Sequence, residues 1–287
     1  MGITERLDHL DSQILMHLQR DGRSSYTALA ALCGVSEGTI RKRMQRLEDR
    51  GVVRIVGVTN PAKIGMDTVA VIWLRVERGR LLEVVTQITA LPQTHYVAYT
   101  TGVSDIVAIV TLESQEALVK FLARDLGSIE GLAETETSMV LRVYKRAYDW
   151  SPWPHEPPQF AAQEEASEEL DEIDLKIIRY LQKDGRMTFV TIADELGITE
   201  STVRRRVTSL LERDILKIAA IINPAKVGRT TLAMVGIKVE RPRLGDVART
   251  LASMTDVRYL ALSTGKYDLI IEVVQESNEK LLDFLVD

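Results

Sequence analysis

Cysteine and long apolar runs are the features that this sequence lacks most clearly. Cys33 is its single cysteine, which excludes an intramolecular disulfide and a zinc site built from several cysteines. The longest apolar runs, such as 106–110 and 269–271, are far too short to span a membrane. The first residues carry acidic side chains instead of the apolar core of a signal peptide. The sequence therefore predicts a cytoplasmic protein without membrane contact.

Catalytic and metal-binding patterns are missing as well. The chain has 4 histidines, and it contains no Ser-His-Asp set, Cys-His pair, phosphate loop or metal-ligand spacing. The sequence therefore predicts no enzymatic activity, no cofactor and no metal.

An excess of positive charge is also lacking, because 36 basic residues stand against 41 acidic ones and the net charge is −5. This balance argues against a protein that coats nucleic acid with its whole surface. It leaves focused binding open, since charges more than about 10 Å apart are largely screened at 0.1 M salt. Whether the chain can bind nucleic acid therefore depends on how its basic residues are arranged locally.

What the sequence contains is one long internal repeat. Sliding the chain along itself by 163 residues carries Leu7 onto Leu170, and about a third of the aligned positions are identical without a gap. LDHLDSQILMHLQRDGR matches LDEIDLKIIRYLQKDGR, NPAKIG matches NPAKVG, and TGVSD matches TGKYD. The period is too long for a solenoid, so we infer that a whole unit of two domains has been duplicated.

The repeat divides the chain into five predicted segments. Four prolines within residues 152–158 favour extended backbone, and an acidic stretch of low apolar content follows them, which is typical of a linker. The second copy stops shortly after Phe284, so its last strand is expected to be missing. The segments are a helix-turn-helix domain at 1–60, a ferredoxin-like domain at 61–148, the linker at 149–168, a second helix-turn-helix domain at 169–223 and a second ferredoxin-like domain at 224–287.

The first part of each unit has the pattern of a winged-type, three-helix helix-turn-helix domain. Apolar residues recur at helical spacing from Leu7 to Leu18, and a second helix at about 26–32 ends at Gly34. Ser36 suits the N-cap of a third helix, EGTIRKRMQRLEDRG, whose apolar residues lie on one side and whose arginines crowd the others. Such a helix fits the major groove, where arginine donates to guanine or phosphate. The alternative is a solvated basic face on an ordinary helical bundle.

Both copies carry the turn, the capping residue and the arginines, which favours DNA binding. Residues early in each third helix are expected to approach bases, and the arginines to contact bases or phosphates. The predicted DNA-contacting residues are Ser36, Glu37, Thr39, Arg41, Lys42, Arg43 and Arg46 in the first copy, and Thr199, Ser201, Thr202, Arg204, Arg205 and Arg206 in the second. Gly38 stands against Ser201 and Lys42 against Arg205, so the two helices are expected to prefer different half-sites.

The second part of each unit has the order of a ferredoxin-like βαββαβ domain, an α+β fold. Such a sheet leaves one face uncovered, which invites pairing with the sheet of the other copy. The predicted elements of the first copy are a strand at 68–76, a helix at 81–91, two strands around the loop 102–105, a helix at 114–126 and a last strand at 134–144.

The loops TTGVSD and STGKYD are the candidate small-molecule sites. Gly102 and Gly265 allow a ligand to approach the backbone closely, and Asp105 and Asp268 can accept a hydrogen bond from an amino group. Ordinary turn chemistry also explains a glycine and an aspartate between two strands, and the residues alone favour that interpretation.

As a set, these motifs resemble the Lrp/AsnC (feast/famine) family of transcription regulators. The resemblance rests on LDxxDxxIL, LQxDGR, the Gly-x-Ser/Thr turn, the arginine-rich helix, NPAKxG and TGxxD, and it covers nearly the whole chain apart from the linker. It implies double-stranded DNA as a partner, a nucleoid-associated location, dimerisation through a ligand-binding C-terminal domain and assembly into homo-oligomers. Because most members carry one unit, the fusion implies a pseudo-dimer within one chain. An amino-acid effector is implied at Gly102, Asp105, Gly265 and Asp268.

Two alternatives belong to other functional classes. Sirohaem decarboxylases resemble the same two-domain unit and also occur as fused pairs, but they use histidines and arginines in the C-terminal half, and here His95 is matched by Arg258 in the second copy. The other alternative is an interaction protein that has lost DNA binding, which the retained arginines disfavour.

Overall fold

The computed structural model describes residues 7–146 and 169–286, so the predicted linker at 149–168 lies outside the described residues. Each copy begins with three helices and continues into an α+β domain, as predicted. The elements of the first copy are α1 (His9–Arg20), α2 (Tyr26–Cys33), α3 (Glu37–Asp49), β1 (Val53–Thr59), β2 (Thr68–Val76), α4 (Leu81–Ala90), β3 (Thr94–Tyr99), β4 (Ile106–Leu112), α5 (Gln115–Lys120) and β5 (Leu132–Arg146). Those of the second copy are α6 (Glu172–Lys183), α7 (Phe189–Leu196), α8 (Glu200–Glu212), β6 (Leu216–Ile222), β7 (Thr231–Ile237), α9 (Leu244–Ser253), β8 (Val257–Ser263), β9 (Leu269–Gln275) and α10 (Asn278–Val286).

Local capping explains where the helices of the first copy begin and end. Asp8 caps α1 in a reciprocal capping box with Asp11. Gly34 ends α2 in the left-handed conformation, with φ of 68°, where a residue with a Cβ would be strained. The Ser36 hydroxyl then accepts the backbone N–H of Thr39 at 3.2 Å, which confirms its predicted capping role.

The two helix-turn-helix domains share one core and one small sheet. β1 pairs antiparallel with β6, and the register places Val56 opposite Ala219, which are the same position in the two copies. The pseudo-two-fold axis therefore passes through this pair. The strand after the third helix thus pairs with its own counterpart. The inward residues predicted for α3, Ile40, Met44 and Leu47, lie in the shared core with Val203, Val207 and Leu210 of α8.

The two C-terminal domains join edge to edge into a single sheet. Within the described residues this sheet has 7 strands in the order β3-β4-β2-β5-β8-β9-β7. The last strand of the first copy, β5, pairs antiparallel with both β2 and β8, and so connects the copies. The predicted βαββαβ order of the first copy is confirmed. In the second copy, the described residues after β9 form α10 and contain no further strand.

The face of the sheet that bears no helices folds onto itself. Val71, Trp73 and Val107 of the first copy pack with Ile270 of the second in one apolar cluster. The rings of Trp73 and Tyr267 meet edge to face with their centroids 6.0 Å apart. The predicted pairing of uncovered faces is thus present, and it occurs within one continuous sheet.

Two details differ from the expected pattern. The helix predicted for 114–126 keeps α-helical hydrogen bonding only over Gln115–Lys120 and continues as a π-helical turn over Phe121–Leu126. Cys33, a residue type that is usually buried, is only partly covered at the end of α2. Among the residues that the structure describes, none of the helices has the length and apolar character needed to cross a membrane.

Candidate nucleic-acid interface

The start of α3 lies beside an open groove with a volume of about 720 Å³. Gly38 leaves space there, because a Cβ at this position would meet nothing closer than the Ser36 hydroxyl at 3.9 Å. The groove thus brings together a helix N-terminus, small hydroxyl side chains and positive charge. Its lining residues are Ser36, Gly38, Thr39, Lys42, Arg43 and Arg46.

Two of these arginines also bind carboxylates of α1. The fully buried Asp11 accepts from Arg43 at 3.1 Å and from Arg46 at 2.5 Å, and Arg43 also pairs with Asp8. The backbone N–H of Asp11, more than the guanidinium of Arg43, holds the pKa of Asp8 below its usual range. The guanidiniums therefore hold α3 against α1, a role that the sequence analysis did not foresee.

The second copy keeps only part of this ion-pair cluster. Arg206 of α8 pairs with Asp171 at 2.7 Å and with Asp174 at 2.8 Å. Ser209 occupies the position equivalent to Arg46. The second copy therefore has one guanidinium where the first has two.

Arg41 and Arg204 occupy equivalent exposed positions near the starts of α3 and α8. Arg41 pairs with Glu37 at 2.7 Å, and Arg204 pairs with Glu200 at 2.5 Å, each one helical turn away. The Thr27 hydroxyl, followed by Arg41, lowers the pKa of Glu37. Because these pairs are exposed, they contribute little to stability and can open toward a phosphate.

Lys42 and Arg205 are the exposed basic residues that follow. Among the described residues, neither one pairs with a carboxylate. Beside them lie hydroxyl networks of different composition. In the first copy the Ser36 and Thr39 hydroxyls lie 2.9 Å apart, whereas in the second the Thr199 hydroxyl lies 2.9 Å from both Ser201 and Thr202.

The aspartates of the two glycine–aspartate loops bind backbone. Oδ2 of Asp105 accepts the N–H of Val76 at 2.9 Å, and Oδ2 of Asp268 accepts the N–H of Val239 at 2.9 Å. Gly102 and Gly265 have φ values of 115° and 94°, so both positions require glycine. The turn role is therefore present in both copies, and one oxygen of each carboxylate remains outside this contact.

The second of these loops lies against the other copy. Thr264 donates its backbone N–H to the carbonyl of Met139 at 2.9 Å, and its hydroxyl accepts the Met139 N–H at 3.1 Å. A Cβ on Gly265 would lie 3.4 Å from the fully buried hydroxyl of Ser138. This loop thus borders a surface made by β5 of the first copy.

A buried polar group inside the folded sheet was missed by the sequence analysis. Glu272 of β9 faces Tyr96 of β3 and Arg258 of β8, and Arg258 is only 2% exposed. Burial raises the pKa of Glu272, while Tyr96 and Arg258 act in the opposite direction. The sequence signal was available, since the position equivalent to Glu272 in the first copy is Ile109.

Comparison with known protein families gives matches over both copies. The AsnC-type helix-turn-helix domain matches residues 7–48 and again 170–211. The Lrp/AsnC ligand binding domain matches residues 69–150, and a C-terminal dimeric alpha+beta barrel domain matches 229–287.

Relatives from Pyrococcus furiosus extend the match to whole proteins. An uncharacterized HTH-type transcriptional regulator of Pyrococcus furiosus is 40% identical over 143 residues, which are 50% of this chain and 97% of that protein. The chain belongs to the Lrp/AsnC family of transcription regulators. The HTH-type transcriptional regulator FL11 of the same organism is 35% identical to this Lrp/AsnC protein over 140 residues, 48% of this chain and 92% of FL11.

A solved structure shares the fused Lrp/AsnC architecture. The siroheme decarboxylase NirDL superposes with a TM-score of 0.65 over 96% of this chain and 85% of that one, at 20% sequence identity. At this identity the likeness shows the fold alone.

Proposed function

We propose that this protein is a sequence-specific DNA-binding transcription regulator that recognises two unequal half-sites, one with α3 and one with α8. The observation that carries the proposal is the pseudo-two-fold pairing at Val56 and Ala219. It places two recognition helices on one shared core while their exposed residues differ. Two recognition helices related by a two-fold axis match a DNA site with two half-sites.

Base reading is assigned to the residues at the start of each helix that are free to approach the groove. Lys42 and Arg205 supply donors for base edges, and arginine alone can do so with two parallel hydrogen bonds. The small polar residues around them complete the reading surface, namely Ser36, Glu37 and Thr39 in the first copy and Thr199, Ser201 and Thr202 in the second.

Of the remaining arginines, Arg41 and Arg204 are assigned to phosphate contact. Arg41 and Arg204 would exchange their exposed carboxylate partners for phosphate. Arg43, Arg46 and Arg206 would serve mainly to hold each recognition helix, because their guanidiniums bind aspartates of α1 or α6.

The test compares Lys42→Ala with Arg205→Ala on a library of operator variants. Each substitution is expected to relax base preference at one half-site only, by about tenfold where Arg205→Ala removes a bidentate contact and by less for Lys42→Ala. Lys176→Ala, an exposed lysine on α6 outside both recognition helices, serves as the matched control. Identical preference shifts for the two variants would contradict unequal reading.

Control by a small effector, an amino acid or a related compound, is the second part of the proposal. The free oxygen of Asp105 or Asp268 can accept from an ammonium group, and a Cβ on Gly102 would meet no atom within 4 Å, so a ligand has room there. The match to a ligand binding domain supports this assignment.

A thermal-shift screen of the amino acids tests the effector. Binding is expected to stabilise the folded state by about 2.7 kcal/mol at a hundredfold excess over Kd. Asp105→Asn and Asp268→Asn keep an acceptor for the backbone N–H and are expected to lose this shift. A flat screen would count against an amino-acid effector.

A regulatory rather than enzymatic role is supported by the names of the relatives, which are transcriptional regulators. The protein would then act at the nucleoid and assemble into homo-oligomers through its C-terminal domains. A Soret band on the purified protein, or after sirohaem is added, would favour a decarboxylase instead.

A further inference from the structure

Two arginines cross between the helix-turn-helix domains at the pseudo-two-fold axis. Nε of Arg23 donates to the carbonyl of Gly185 at 2.9 Å, and its terminal nitrogen donates to the carbonyl of Met187 at 2.5 Å. Arg186, the equivalent residue of the second copy, donates in return to Gly22 at 3.1 Å and to Ser24 at 3.1 Å. We call these two reciprocal contacts the arginine clasp.

The clasp also reaches the helix that precedes each recognition helix. The guanidinium of Arg23 lies 4.4 Å from the centroid of the Phe189 ring in α7, and that of Arg186 lies 4.9 Å from the Tyr26 ring in α2. Burial lowers the pKa of Arg23, while the nearby carboxylate of Asp184 acts in the opposite direction. Each clasp residue therefore holds the backbone and the first aromatic residue of the other unit's helix-turn-helix motif.

The same two rings contact arginines of the recognition helices. Arg204 of α8 lies 5.2 Å from the Phe189 ring centroid, and Arg41 of α3 lies 5.2 Å from that of Tyr26. A continuous chain of contacts thus runs from Arg23 in the first copy through Phe189 to the recognition helix of the second. The mirrored chain runs from Arg186 to α3.

The domains are also connected by the ribbon of β1 and β6, by their shared core and by contacts away from the axis, such as the hydrogen bond that Lys63 Nζ donates to the carbonyl of Arg213 at 2.8 Å. The ribbon of β1 and β6 is two-stranded, and two-stranded ribbons twist more strongly than larger sheets. The ribbon joins the two domains at their strands, whereas the clasp reaches α2 and α7, the helices that lead into α3 and α8. The loops that carry it are pressed onto the ribbon, since a Cβ on Gly22 would lie 2.9 Å from the carbonyl oxygen of Ile218 and one on Gly185 would lie 3.0 Å from Val56.

We propose that Arg23 and Arg186 are positioning residues that fix the placement of α3 relative to α8, and so set the spacing between half-sites that the protein accepts on DNA. The inference rests on the proposed function, because spacing has meaning only if both helices read DNA. Half-site spacing follows from the separation of two recognition helices. Arginine suits this role because its planar guanidinium binds two carbonyls at once and stacks on a ring, which lysine cannot do.

The experiment selects binding sites from a DNA library in which two half-sites are separated by spacers of every length over one helical turn. The wild-type protein is compared with the double variant Arg23→Lys, Arg186→Lys, and with each single variant. The control is Arg20→Lys with Arg179→Lys, the same change at exposed positions on α1 and α6. Melting temperatures are measured for all of them.

The wild-type protein and the control are expected to select a narrow range of spacers. The clasp variants are expected to keep the same half-site sequences while their preference for the best spacer over its neighbours falls by about fivefold. If the clasp variants melt at a lower temperature but keep the wild-type spacer range, Arg23 and Arg186 are merely structural and the inference is wrong. A change in base preference without a change in spacing would also overturn it. If the wild-type protein selects no DNA, the proposed function itself fails, which is a separate result.

Discussion

The helix-turn-helix pair and the C-terminal pair arose from the same duplication, but they have kept its symmetry to different degrees. In the first pair, β1 meets β6 at equivalent residues and the clasp arginines are reciprocal. In the second pair, Trp73 is matched by Gly236, and Ile109 by Glu272. The region that holds the recognition helices has conserved its contacts between copies, whereas the inside of the folded sheet has changed residue by residue.

This difference indicates where each region carries its function. Two helices must keep a fixed geometry to meet successive grooves, so their scaffold tolerates little change, while the exposed side chains that face DNA are free to differ. The folded sheet has no such requirement. There, the second copy has Gly236 where the first has Trp73. The ring of Tyr267 lies over Gly236 and meets Trp73, so it fills the space that a larger residue at 236 would take.

The largest effect is expected where equivalent aspartates of the two helix-turn-helix domains bind different numbers of arginines. Asp11→Asn removes the negative charge that two guanidiniums share in the first copy, whereas Asp174→Asn affects one guanidinium that keeps Asp171. We expect losses of unfolding free energy of roughly 3 kcal/mol and about 1 kcal/mol, respectively, measured by urea unfolding. Asp194→Asn, exposed on α7, is the control. Equal losses for the two variants would contradict the difference between the copies.

A smaller effect tests whether the Tyr267 ring fills the space over Gly236 inside the sheet. A Cβ on Gly236 would lie 2.4 Å from the ring of Tyr267, so Gly236→Ala is expected to destabilise the protein by about 1 to 2 kcal/mol. In a Tyr267→Ala background the same substitution should be neutral or stabilising, because alanine is otherwise preferred over glycine in a strand. The measurement is a double-mutant cycle of unfolding free energies. Additive effects would show that Tyr267 does not fill this space.

The smallest effect concerns Glu272, the buried carboxyl of β9 whose equivalent position in the first copy is Ile109. Since burial raises the pKa of Glu272 above its ordinary value of 4.5, this carboxyl contributes stability below that value and loses the contribution as pH rises through its folded pKa. Glu272→Gln is therefore expected to raise the melting temperature at pH 7 to 8, with a difference that shrinks on acidification through the folded pKa and is smallest at and below about pH 4.5. A difference that grows on acidification would mean that Arg258 dominates the site.

Much of the fold could be predicted because the duplication shows every pattern twice. The strand at Thr68–Val76 and the capping roles of Ser36 and Thr199 follow from local rules, namely alternation of burial and side-chain acceptors at helix starts. These rules act within a few residues, so the sequence is sufficient to apply them.

The contacts between copies could not be predicted in the same way. The motif QxDGR is visible in both copies, but nothing in its spacing says that Arg23 reaches Gly185 rather than solvent. Likewise, the spacing of the arginines in α3 and α8 does not show that some of them pair with Asp11 and Asp174. Such pairs depend on how separate elements are oriented, which periodicity does not encode.

The pairing of Val56 with Ala219 determines how the association of the two recognition helices depends on protein concentration. Both strands belong to one polypeptide, so the two recognition helices meet in a unimolecular step whose equilibrium does not depend on protein concentration. A pair made from separate chains falls apart into halves as it is diluted. Here, occupancy of a two-part operator by one chain is expected to rise in simple proportion to protein concentration at low saturation, without the steep threshold that prior association of two chains would impose.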